Sequence, residues 1–85
     1  MKIELYTGMS CPACTALKGR LNKLELTDYE PRSTDMMEHR DALVALGFRS
    51  IPVLVKTDTE GGLVDTLQGN LATDAAYVEF FNHAG

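Results

Sequence analysis

Two cysteines separated by two residues constrain this chain more than any other feature. Cys11 and Cys14 are its only cysteines. They follow a short strand pattern over residues 2–6, in which Ile3 and Leu5 share one face, and a break at residues 7–8. A helical pattern begins directly after them. A strand, a tight turn and a helix that opens with C-x-x-C together indicate a redox-active dithiol.

The start of a helix gives this spacing a chemical reason. Backbone N–H groups in the first turn lack partners within the helix, and the helix dipole is positive there. We therefore expect the pKa of the Cys11 thiol to lie below that of a free cysteine. Pro12 suits the first turn, and Ser10 is a candidate N-cap. Because Cys14 lies one turn deeper, Cys11 is the expected nucleophile and Cys14 the expected resolving thiol.

Two other interpretations of the cysteine pair are a structural disulfide and half of a metal site. A zinc site would need two further ligands. The only histidines, His39 and His83, fall far apart in predicted helices, so we expect both at the surface, without a catalytic role. We expect no metal. An interaction module with vestigial thiols is a further alternative.

Composition and charge limit the class of protein. A chain of 85 residues predicts a single domain over residues 1–85, and we expect a monomer. The net charge of -4 argues against nucleic acid as a partner. No apolar run approaches the roughly 20 residues that span a bilayer, so no membrane partner is expected. Lys2 and Glu4 interrupt any leader pattern, which predicts a cytoplasmic protein. A periplasmic protein with its leader removed would have the same pattern.

The apolar spacing predicts the first two helices and the strand between them. A first helix covers residues 11–24, with one apolar stripe formed by Cys14, Leu17, Leu21 and Leu24. A strand follows at residues 29–33, and Pro31 favours a sheet edge because it lacks an N–H. Asp35 should start a second helix in a capping-box-like pair with Glu38, and Gly47 should end it. The buried face of that helix is predicted to be Met36, Leu43 and Leu46.

A hairpin and a third helix complete the chain. Strands over residues 53–55 and 63–67 are joined by a turn at residues 58–62. Thr73 should cap the last helix, whose apolar side is Ala76, Tyr77, Phe80 and Phe81. The predicted order is β-α-β-α-β-β-α. It gives an α/β fold with a four-stranded mixed sheet and helices on both faces.

Three features resemble the glutaredoxin branch of the thioredoxin-like fold. The first is Tyr6-Thr7-x-x-x-Cys11-Pro12-x-Cys14 with Lys18 one turn later. The second is Gly47-Phe48-Arg49-Ser50-Ile51-Pro52, which is similar to the segment that carries the family's cis-proline. The third is the agreement in size and element order from end to end.

The resemblance implies roles for particular residues. A cis Ile51–Pro52 bond would turn the Ile51 backbone towards the Cys11 sulfur, where it could pair with a bound substrate in the manner of a strand. Lys18 would lower the thiolate pKa through its charge. Asp74 would receive the amino group of the substrate. The full set of expected substrate-binding residues is Pro12, Arg49, Ile51, Pro52, Gly69 and Asp74.

The implied function is that of a glutaredoxin-like dithiol–disulfide oxidoreductase that reduces protein or glutathione mixed disulfides. Glutathione is the expected reductant, and ribonucleotide reductase is a plausible acceptor. The short chain also resembles phage-encoded glutaredoxins, which would place it in the host cytoplasm. Ala13 stands where glutaredoxins usually have an aromatic residue, and Gln68-Gly69-Asn70-Leu71 stands where they carry Gly-Gly and an acid.

Two related functions remain open. The segment 47–49 is also similar to the NrdH-type redoxins, which are reduced by thioredoxin reductase. A glutathione-dependent [2Fe–2S] carrier is the other alternative, in which Cys11 and glutathione share a cluster between two protomers.

Overall fold

The predicted order of four strands and three helices is confirmed. The computed structural model describes residues 1–82, so the expectation for His83 lies outside the described residues. The elements are β1 (Lys2–Thr7), α1 (Pro12–Lys23), β2 (Glu30–Ser33), α2 (Met37–Ala45), β3 (Val53–Thr57), β4 (Leu63–Gln68) and α3 (Asp74–Asn82). Within residues 1–82, no helix combines the length and apolarity needed to cross a membrane.

The sheet has the order β2-β1-β3-β4. β1 is parallel to β2 and antiparallel to β3, and β4 is antiparallel to β3. Pro31 therefore lies in an edge strand, as its missing N–H predicts. Arg32 of the same strand pairs with Glu4 at 2.7 Å and also with Glu30. The hydrogen bond from Arg32 holds the pKa of Glu30 below its usual value. The free edge of β2 is thus short, charged and interrupted by proline.

Alternate residues of the central strands supply two apolar clusters, one on each face. The larger cluster lies beneath α1 and α3, and its buried members are Ile3, Leu5, Leu17, Leu21, Leu54, Tyr77 and Phe80. The smaller one lies beneath α2, and its buried members are Tyr6, Leu43, Val53 and Val55. This division arises because successive side chains of a strand point to opposite faces, and here both faces are covered. It places helices on both faces of the sheet, as expected.

The start of α2 differs from the prediction. The helix begins at Met37, and its N-cap, Met36, makes no side-chain capping bond. The Asp35 carboxylate accepts a hydrogen bond from the Met9 N–H at 2.9 Å, so it is engaged outside the helix. Met36 is 53% exposed instead of buried, because it precedes the helix, and Glu38 contacts His39 rather than completing a capping box.

The predicted end of α2 and the predicted cap of α3 are confirmed, whereas the expected exposure of His39 is not. Gly47 has φ +92 after α2, a conformation that favours glycine. The Thr73 hydroxyl accepts a hydrogen bond from the Ala76 N–H at 3.1 Å. His39 is partly buried and not a fully exposed surface residue.

Leu17 provides a test of the larger cluster. It is fully buried on the inner face of α1, so Leu17→Ala should lower the free energy of unfolding by about 2–5 kcal/mol. Leu71→Ala is the matched control, since Leu71 is 91% exposed, and its effect should stay within about 0.5 kcal/mol. Urea unfolding followed by circular dichroism measures both. Equal losses in the two variants would contradict the assigned core.

Candidate active site

The Cys11 sulfur caps the first helix. Pro12 disfavours a helical conformation in the residue before it, and Cys11 accordingly has φ -126 and ψ 96. The Cys11 side chain turns back over the helix end, where its Sγ accepts a hydrogen bond from the Cys14 N–H at 3.1 Å. The prediction that Ser10 caps α1 is therefore wrong, because the proline moves the cap one residue along.

The two cysteines differ in their exposure to solvent. They form a disulfide with their Cα atoms 5.2 Å apart. Cys14 is only 2% exposed, whereas Cys11 is partly exposed at the surface end of α1. An incoming sulfur can reach Cys11 and not Cys14. This is the asymmetry that a nucleophile and a resolving thiol require.

The cis-proline segment lies beside the loop that carries the cysteines. The Ile51–Pro52 peptide bond is cis, as the resemblance implied. Tyr6, near the end of β1, pairs with Val53 at the start of β3. Because these strands are antiparallel, the residues after β1 and those before β3 emerge at the same end of the two strands. Pro52 itself is fully buried.

A close contact between Gly8 and Ile51 joins the two loops. A Cβ atom placed on Gly8 would lie 2.7 Å from the Ile51 Cδ1 atom, so only glycine fits without a shift. The loop is also held by Thr34, whose backbone N–H and hydroxyl both donate to the Thr7 carbonyl, at 2.7 and 2.9 Å. Sequence reasoning treated Gly8 as a strand breaker and missed this contact, since nothing local identifies the partner of a glycine.

Asp74 is engaged by a residue that the sequence did not single out. The Arg20 Nε donates to Asp74 Oδ1 at 2.8 Å, and its Nη1 donates to the Asn70 carbonyl at 3.1 Å. The guanidinium lies 4.9 Å from the centre of the Tyr77 ring, which allows a cation–π contact. Arg20 thereby connects α1 to the loop before α3 and to the first turn of α3.

Of the remaining predicted site residues, Gly69 contacts the cis-proline, whereas Lys18 and Arg49 are exposed side chains. Gly69 has φ +84, and its N–H donates to the Pro52 carbonyl at 2.7 Å, so these two residues are directly joined. Lys18 is exposed on α1, two turns beyond Cys11. Arg49 is exposed in the loop between α2 and β3. Their roles stay predictions. Among residues 1–82, no three His, Cys, Asp or Glu side chains form a group able to hold a metal ion.

The sequence profile of one family, described as Glutaredoxin, matches residues 3–59, which is more than half of the chain. The chain belongs to the glutaredoxin family. The matched region holds both cysteines and the cis-proline, so the family's C-x-x-C pair is the disulfide described above. Curated protein sequences contain no significant match to this chain.

Solved structures agree with this assignment. The glutaredoxin-like protein NrdH-redoxin from Escherichia coli, described as having a thioredoxin-like activity profile, is 27% identical, with a TM-score of 0.68. The match covers 100% of this chain and 96% of that one. Thioredoxin f from spinach chloroplast is 18% identical, with a TM-score of 0.71, and covers 96% of this chain and 73% of its own. Mitochondrial thioredoxin 3 from Saccharomyces cerevisiae is 17% identical, with a TM-score of 0.70 and coverages of 95% and 76%. The two thioredoxins show the shared fold.

The Gly8 contact generates a prediction. Gly8→Ala must displace the Ile51 side chain, so it should lower the free energy of unfolding by about 1 kcal/mol, at the lower end of overpacking costs because a side-chain terminus can move. Gly19→Ala is the matched control on the exposed face of α1, where an added Cβ meets nothing within 4 Å.

Gly19→Ala should instead stabilise the protein by about 0.5–1 kcal/mol, since alanine restricts the unfolded chain and favours the helix. Thermal unfolding of both variants measures the opposite signs. A stabilised Gly8→Ala variant would show that the two loops are not in contact.

Proposed function

We propose that this protein reduces disulfide bonds in other proteins and mixed disulfides with glutathione, cycling between a Cys11–Cys14 disulfide and a dithiol. The Cys11 thiolate attacks one substrate sulfur, the substrate S–S bond breaks, and the released thiolate takes a proton from water. Cys14 then loses its proton and attacks Cys11 Sγ, which releases the second substrate thiol. Two electrons pass to the substrate, and the redoxin is left oxidised.

The hydrogen bond from the Cys14 N–H to the Cys11 sulfur is the observation that supports this proposal most directly. An N–H aimed at sulfur favours the negatively charged form over the thiol, and the positive end of the α1 dipole acts in the same direction. We therefore expect the pKa of reduced Cys11 to lie below that of a free cysteine. The exposure of Cys11 and the burial of Cys14 support the assignment of nucleophile and resolving thiol.

The cis-proline segment is the proposed platform for the substrate chain. Ile51 and Pro52 precede β3, at the end of the strands where the Cys11 loop also lies. An extended substrate segment could pair with the Ile51 backbone through hydrogen bonds, as a strand pairs with its neighbour. Pro12 would border it on the other side of Cys11, and Arg49 would attract a substrate carboxylate. Such contacts recognise backbone, so acceptors of different sequence would be accommodated.

A second candidate function is that of a redoxin reduced by thioredoxin reductase, and the Arg20–Asp74 ion pair favours it. A free carboxylate at Asp74 would attract the ammonium group of glutathione. Here the guanidinium of Arg20 already lies 2.8 Å from Asp74 Oδ1 and offsets its charge. Gly69 in turn is bonded to Pro52. These contacts, together with the likeness to NrdH-redoxin, favour the dithiol of thioredoxin reductase over glutathione as the donor. Ribonucleotide reductase in the cytoplasm is the proposed acceptor.

Serine variants test the roles of the two cysteines. Cys11→Ser should abolish reduction of a peptide disulfide, because no nucleophile remains. Cys14→Ser should accumulate a mixed disulfide with the substrate, visible as a mass increase, because nothing resolves it. Thr15→Ser, an exposed change next to the pair, is the control and should keep the wild-type rate. Full activity in Cys11→Ser would end the proposal.

The donor is tested by supplying the oxidised protein with glutathione or with thioredoxin reductase and NADPH in parallel. Faster reduction by the reductase, by about tenfold or more, is expected if a dithiol is the donor. Equal or faster reduction by glutathione would select the monothiol donor and leave the dithiol–disulfide chemistry itself intact.

A further inference from the structure

A continuous set of contacts leads from α1 to the cis-proline, on the side of the sheet occupied by α1 and α3. Arg20 on α1 lies over the ring of Tyr77 and donates to the Asn70 carbonyl. The Tyr77 hydroxyl donates to the Gly69 carbonyl at 3.1 Å. The Gly69 N–H donates to the Pro52 carbonyl at 2.7 Å. Each link joins a different element.

We propose that Arg20 and Tyr77 are positioning residues, which set the distance between the cis-proline segment and the Cys11 sulfur through Gly69. This inference rests on the proposed function, because it concerns the platform on which a peptide disulfide would bind. Cys11 is fixed to the start of α1 by its own hydrogen bond to the helix. The β1–β3 pairing and the Gly8–Ile51 contact bring the two loops together, and the contacts through Tyr77 and Gly69 add a second tie, from α1 to the start of β3.

The chemistry of these contacts suits a positioning role. Tyr77 is fully buried, and its hydroxyl reaches the Gly69 carbonyl from inside the core. A phenylalanine would fill the same space, yet remove the hydrogen bond to that carbonyl. The side chain of Arg20 is 30% exposed, and methionine keeps an unbranched apolar chain there while removing the guanidinium. Two different changes, one at a fully buried side chain and one at a partly exposed side chain, thus interrupt the same set of contacts.

The Gly69 conformation makes the link sensitive. With φ at +84, Gly69 occupies a region that side chains rarely adopt, and its two peptide groups bond in different directions, to Pro52 and to Tyr77. Glycine has no Cβ to restrict its rotation. The two hydrogen bonds hold it in place, and losing the one from Tyr77 removes one of these two restraints on its conformation.

The test compares two disulfides that differ in whether they carry a peptide backbone. Reduced protein is mixed with an excess of either a linear peptide with one disulfide or hydroxyethyl disulfide, which has no backbone to bind at Ile51. Single-turnover traces give the half-saturating concentration and the limiting rate. For the peptide, Tyr77→Phe and Arg20→Met should each raise the half-saturating concentration on the order of fivefold, with the limiting rate within about twofold of wild type.

For hydroxyethyl disulfide, both variants should react at the wild-type rate, since only Cys11 is needed. The pH profile of Cys11 alkylation by iodoacetamide should likewise be unchanged. Tyr29→Phe and Arg40→Met are the matched controls. Tyr29 packs against Phe81 just before β2, and Arg40 is exposed on α2 across the sheet. Neither control should change the peptide values.

Wild-type peptide values in a folded Arg20→Met variant would overturn the inference, and this variant decides the matter even if Tyr77→Phe does not fold. Equal slowing with both disulfides, or a shifted alkylation profile, would also overturn it, because the residues would then act on Cys11. A wild-type protein that reduces neither disulfide would instead overturn the proposed function itself, together with the inference that rests on it.

Discussion

The pairing of β1 with β3 determines the geometry of everything else in the site. Because Tyr6 lies opposite Val53, the chain leaving β1 and the chain entering β3 meet at the same end of these two strands. A shift of one residue would turn the buried side chains of a strand to the wrong face. It would also separate the cysteine loop from the cis-proline. The apolar clusters on both faces therefore stabilise the register on which the site depends.

Local chemistry then refines what the register brings together. A proline placed directly after Cys11 prevents that cysteine from entering the helix, and the sulfur becomes the cap. The same residue that the chemistry needs at the surface thus satisfies an N–H that would otherwise lack a partner. The same sulfur atom is the proposed nucleophile and the N-cap of α1, which explains why Ser10 is not needed as the cap.

The sequence predicted those parts of the structure that have a local cause. Apolar spacing identified α1 through Leu17 and Leu21, and Pro31 identified the edge strand, because periodicity and a missing N–H act within a few residues. The C-x-x-C pair identified the reactive sulfurs. Contacts between distant segments could not be predicted in this way. Asp35 was predicted to start α2 and Arg20 was not singled out, and only the folded chain shows that they hold the loops around the site.

The β2 edge has a consequence for how these molecules behave when crowded. A row of unpaired backbone groups can recruit a strand from a neighbouring chain, which is a common route to insoluble assemblies. Here Pro31 has no backbone donor, and Glu30 and Arg32 on either side of it are charged. The exposed side of β2 is therefore a poor template for a strand from a second molecule.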